Sequence, residues 1–204
     1  MPVAQRKRPF YLVLALLGAL ALGTIGTYEG GLDVVLYRGM IDTTAATQDI
    51  ADEANRDAVD ARLRSFLKAL DANKKFGWPL GVGTFLLGTA VFVFAMRTLG
   101  GSGAARAAVV QLVAAQAAVH AASFWLMREA EDARVRFALA KQEAEYSDQG
   151  VSHARAPDAT VFQRIVNPAA FGAYMLGSGF VILALTRRRS REFFDPGGTA
   201  VEER

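Results

Sequence analysis

Four hydrophobic stretches, at roughly residues 9–28, 78–97, 106–127 and 168–186, leave this chain few ways to fold. Each reaches the ~20 mainly apolar residues that a helix needs to cross a bilayer. Inside hydrocarbon a spanning backbone has no water to bond, so it satisfies its own N–H and C=O groups by becoming helical. The expected fold class is an all-α integral membrane protein with four transmembrane helices. At 204 residues the whole chain reads as a single four-helix transmembrane domain, 1–204.

Two polar segments, about 29–76 and 128–165, join spans one to two and three to four. Spans two and three are linked only by Thr98-Leu99-Gly100-Gly101-Ser102-Gly103-Ala104-Ala105, a glycine-rich hairpin turn. The N-tail (Arg6, Lys7, Arg8), that turn (Arg97, Arg106) and the 187–204 tail (Arg187, Arg188, Arg189, Arg191, Arg204) hold ten basic residues against four acids. The two polar segments hold thirteen basic residues against sixteen acids. By the positive-inside rule both termini are then cytoplasmic and the polar segments extracytoplasmic, although Lys74 and Lys75 flank span two on the other side. The arginine cluster reads as a stop-transfer and lipid-phosphate signal, so no nucleic-acid partner is expected despite the net charge of +3.

With no cysteine, disulfides and thiolate metal sites are excluded. Arginine and alanine richness without cysteine suits a high-GC bacterium, and so a multi-pass protein of a bacterial plasma (inner) membrane. Arg6-Lys7-Arg8, an apolar run and small residues around Ala19-Leu20-Ala21 also admit a cleaved signal peptide. The run from Phe10 to Ile25 is longer than a usual signal core, which favours a retained span.

Small residues recur at four-residue spacing: Ala15, Ala19, Gly23 and Thr27 in span one; Gly77 and Gly81, then Thr84 and Gly88, toward span two; Ala169, Ala173 and Gly177 in span four. In lipid such stripes let backbones approach closely and serve as helix-packing faces. A stripe left over on span one or four would face another subunit. Trp78, Trp125 and Tyr28 at one boundary and Phe10 and Tyr11 at the other form the usual aromatic belt.

Span three is rich in alanine, and its pattern continues beyond the membrane. Leu126, Ala130, Ala133, Phe137, Ala140 and Ala144 alternate at spacings of four and three, a heptad seam. Nothing from Ala105 to Tyr146 breaks a helix, so a single rod about 60 Å long is expected. Val59, Leu63, Phe66 and Leu70 repeat the same spacing in the first polar segment. The two seams predict an antiparallel, extracytoplasmic helical stalk extending spans two and three. Gly77-Trp78-Pro79 and Asn167-Pro168 place proline where the first turn of a returning span would tolerate it. Such similar starts also fit two duplicated hairpins. Gly30–Met40 reads either as a short strand or as a helix continuing span one.

Inside the spans, as bounded above, no Asp, Glu, Lys or Arg lies deep. His120 is the one ionisable group there, sharing a face with Gln116 and Ser123. This candidate patch would bond a neighbouring helix, line a cavity, or bind a pigment or metal. His153 lies in a polar loop, so a bis-histidine haem is disfavoured. Gly177-Ser178-Gly179 lacks the preceding glycine of an intramembrane serine protease, since Leu176 stands there. Ser178 lies roughly 13 Å from its basic end and His120 roughly 21 Å from its own, too far apart in depth for a nucleophile and base. The acidic stripe Asp49, Glu53, Asp57 and Asp60 lacks the calcium-loop pattern. No catalytic residue, metal ligand or cofactor is expected.

The chain therefore reads as a non-enzymatic membrane accessory, scaffold or assembly subunit. Its partners would be the lipid bilayer and other membrane-protein subunits or further copies of itself. An alternative is a small oligomeric channel or transporter component lined by the polar face of span three, and a third is a membrane sensor with a separate output partner.

Overall fold

The computed structural model describes residues 9–39, 47–48, 50–148 and 161–194. They form helices α1 (Phe10–Tyr37), α2 (Glu53–Leu99), α3 (Gly103–Leu126), α4 (Arg128–Asp148), α5 (Asn167–Thr186) and α6 (Arg188–Phe194), with a π-helical turn at Phe162–Val166. No strand occurs among the described residues. Four helical segments, Phe10–Tyr37, Glu53–Leu99, Gly103–Leu126 and Gln163–Thr186, are long and apolar enough to cross a membrane, as in a multi-pass protein.

Two boundaries differ from the sequence expectation, and a third is decided between two readings. For Gly30–Met40 the helix continuing span one holds and the strand does not, because α1 runs on to Tyr37 and ends at Gly39 with φ of 72°. Glycine takes this left-handed conformation without steric penalty, which is why helices stop there. Met40 lies outside the described residues. Pro79 does not open a helix but sits inside the 47-residue α2. The missing N–H removes only the bond to the Lys75 carbonyl. Packing on both sides holds the helix through it, with Tyr37 against Gly77 and Asp33 against Gly81. Pro168, by contrast, is the second residue of α5. The expected single rod from Ala105 to Tyr146 is two helices, α3 and α4, with a bend at Met127. Helical bonds bridge that bend, from Met127 N to Ser123 O and from Glu131 N to Met127 O, each 2.9 Å.

The described helices fall into two compact units. The first comprises the chain up to Gly31, Gly83–His120 and the chain from Ala173 onward. Its core joins Leu12, Leu16 and Leu22 of α1, Val91 and Ala95 of α2, Val109 and Val113 of α3, and Val181 and Leu185 of α5. Ala15 and Ala19 are fully buried in it. One turn further along α1, glycines bring two backbones together. A Cβ on Gly23 would meet Phe92 N at 2.7 Å and Gly88 O at 3.0 Å, and one on Gly88 would strike Thr27 N and the Gly26 carbonyl carbon.

The basic end of this unit is tied by polar contacts. Ser102 caps α3 by accepting the Ala105 N–H at 3.2 Å, and Gly101 turns the chain with φ of 97°. The Arg106 guanidinium donates to Leu185 O at 2.7 Å, and the Ser190 hydroxyl to Ala184 O at 2.7 Å. Arg187 stands 5.9 Å from the Tyr11 ring, a cation–π contact.

The second unit comprises Leu32–Val82 and Ala121–Gly172. Here the two heptad seams meet. Leu63, Phe66 and Leu70 of α2 cluster with Ala130, Ala133 and Phe137 of α4, and Val59 clusters with Ala140, Ala144 and Ile50. Phe66 and Phe137 stack with centroids 6.0 Å apart. Early α2 residues meet late α4 residues and the reverse, so the pair is antiparallel. Small alanines opposite Leu and Phe let the two helices interlock. Tyr37 joins the same cluster, its hydroxyl donating to Met127 Sδ at 3.2 Å.

Candidate functional site

The polar groups of α3 separate when placed in the structure. Gln116 is 1 % exposed and turned into the first unit's core. Its Nε2 donates to Leu22 O of α1 at 3.0 Å, and the amide occupies the space a side chain on Gly26 would need. Glycine at 26 is what lets the glutamine reach the α1 backbone. The other amide atom, Oε1, is buried with no hydrogen-bond partner.

His120 lies one turn further along α3 and meets two groups that the sequence reading did not connect to it. Its Nδ1 is 4.0 Å from Glu29 Oε2 on α1, and its ring stacks on Tyr174 of α5 at 4.0 Å between centroids. Glu29 and Asp33 follow directly after the apolar run of α1, just beyond residue 28. Because α1 continues to Tyr37, Glu29 and Asp33 are carried on the same helix as the apolar run. The available signal was weak: Leu32, Val34, Val35 and Leu36 keep the segment apolar after Glu29. Tyr174 gave no signal, since aromatic residues are ordinary in spans.

Ser123 belongs to the second unit and is half-buried. Within the first unit, Gln116 and His120 are joined instead by Glu29 and Tyr174. At 4.0 Å the carboxylate and the imidazole are within ion-pair range but beyond direct hydrogen-bond distance. No group of three or more metal-ligating side chains occurs among the described residues.

Ser178 is 2 % exposed and its hydroxyl is buried without a hydrogen-bond partner. His120 meets α5 at Tyr174, four residues from Ser178. The small-residue faces also divide. Gly77 and Gly81 are filled by Tyr37 and Asp33, within the second unit. Ala173 is exposed, and a Cβ on Gly177 would meet nothing within 4 Å. Of the acidic stripe, Glu53 and Asp57 are exposed, Asp60 is half-buried, and Asp49 lies outside the described residues, as do His153 and Arg6–Arg8. Compared with protein families, curated proteins and solved structures, the chain matches none.

Proposed function

We propose that this chain is a non-enzymatic accessory, scaffold or assembly subunit of a larger membrane complex. The α2–α4 helix pair supports this reading most directly. Its apolar seam is consumed between the two helices, leaving their outer faces charged and open to a partner. In the proposed arrangement the chain is a bacterial inner-membrane protein with both termini cytoplasmic. The helix pair then forms an extracytoplasmic stalk. Copurification from gently solubilised membranes tests the assignment. A stoichiometric partner, or a homo-oligomer, is expected, and a chain that runs alone as a monomer would overturn it.

A second reading, a channel or transporter component, draws on one observation: Glu29 stands beside His120. Titratable groups carried by spanning helices are costly and commonly mark ion or proton paths. Proton flux into liposomes that drops in His120→Ala is the outcome this reading requires. Absent or unaltered flux would remove it.

A further inference from the structure

We propose that the groove between α2 and α4 binds an anionic phospholipid, its headgroup phosphate held by Arg128, nearest the foot, within a basic wall that Arg62 and Arg136 extend, and its acyl chains lying on Trp125 and Leu126. The groove lies wholly within the second unit and encloses about 650 Å³. Arg62 lines its α2 side, and Arg128 and Arg136 its α4 side.

The charge state of the groove is the first argument. Asp132 lies four residues from both Arg128 and Arg136, the usual spacing for helix ion pairs, yet no ion pair forms with either among the described residues. On the opposite face of α4, Arg134 does pair with Glu131, at 3.1 Å. Three guanidiniums thus line one groove without a carboxylate partner. Glu129 and Asp132 share the lining, so the net excess is a single positive charge. Glu129, in the first turn of α4, is accounted for by the helix N-terminus, and Asp132 remains in the lining between the two arginines of α4. The unpaired arginines have no such internal explanation. Guanidinium is the side chain best matched to phosphate, through two parallel N–H bonds.

The polarity of the groove along its length is the second argument. Its foot is Trp125, 66 % exposed, and Leu126, 48 % exposed, at the end of the apolar helix α3. Tryptophan at the end of a span belongs to the headgroup level, where its ring is apolar and its N–H is wet. Trp125, Arg128, Asp132 and Arg136 follow one another at spacings of three, four and four, a single stripe rising roughly 16 Å. Side chains on a helix lean toward its N-terminus, so Arg128 and Arg136 reach back toward the tryptophan. An apolar foot below a basic wall fits an amphiphile. A free inorganic anion would have no use for Trp125 and Leu126.

This inference goes beyond the accessory reading and stands or falls separately, because it is measured on the purified chain with no protein partner. The full-length protein in detergent is exposed to phosphatidylglycerol, to phosphatidylcholine of the same acyl chains, and to inorganic phosphate, and retained ligand is read by native mass spectrometry. Retention of phosphatidylglycerol over phosphatidylcholine by about tenfold is expected, corresponding to about 1.4 kcal/mol. Arg128→Gln combined with Arg136→Gln should abolish the preference, while Arg64→Gln, an exposed change outside the groove, should leave it intact. A second measurement needs no arginine variant. In a Trp78→Phe background, phosphatidylglycerol with brominated chains should quench Trp125 fluorescence more than brominated phosphatidylcholine does. Equal retention of the two lipids, or a preference that survives the double substitution, would overturn the proposal. Retention of phosphate with no selective quenching of Trp125 would assign the groove to a free anion and overturn the lipid.

Discussion

Gly88 has no room for a methyl group. The atoms a Cβ would strike belong to the backbone of α1, at Gly26 and Thr27, and backbone cannot rotate away as a side chain can. Gly88→Ala should therefore force α1 and α2 apart and cost about 1–3 kcal/mol, the usual range for overpacking. Gly83→Ala, where a Cβ would meet nothing within 4 Å, should be neutral or slightly stabilising through helix propensity. Unfolding in mixed micelles titrated with denaturing detergent measures both. Gln116 poses the opposite question, for it makes one hydrogen bond and leaves Oε1 buried and orphaned. Gln116→Leu removes the bond and the unmet acceptor together, so stability should change by less than about 1 kcal/mol. If the variant folds normally but its complex or its flux is lost, the amide serves function rather than packing. The sequence made Gln116 and His120 visible as polar residues in an apolar span. Their partners were not visible, because Leu22, Glu29 and Tyr174 lie on other helices and no spacing rule links them.

Among the elements, the α2–α4 pair was the most legible in advance. Both seams carry a four–three repeat, and a repeat of that kind specifies which face of each helix is hidden before any partner is known. Phe66 is 4 % exposed and stacked on Phe137, so it bears much of the contact. Phe66→Ala should cost about 3 kcal/mol, seen as faster hydrogen exchange in 53–72 and 128–146. Lys68→Ala, on the exposed side of the same turn, should leave exchange unchanged. Helix ends were read less well. Proline at 79 resembles a start signal, but an interior proline is tolerated when neighbours hold the helix on either side. Gly39, the actual stop of α1, carries a signal that the apolar run before it obscured.

For the whole molecule, the proposed orientation has a direct consequence. A fluorescent-protein fusion after Arg204 should be bright and an alkaline phosphatase fusion there inactive, whereas reporters inserted within 149–160 should behave in the opposite way. Reversal of that pattern would invert the arrangement, and with it the leaflet in which the lipid groove opens. By itself, the sequence determined that there are four apolar helices, where their apolar cores lie, and which faces of the polar segments are hidden. These properties follow from the length of hydrocarbon to be crossed and from helical periodicity, both of which act within a single segment. Only the tertiary structure decided that Gly88 receives the α1 backbone, that Glu29 and Tyr174 flank His120, and that three arginines and a tryptophan line one groove. Those outcomes depend on how each helix is rotated and shifted against its neighbours, which side-chain volumes settle jointly and no single segment records.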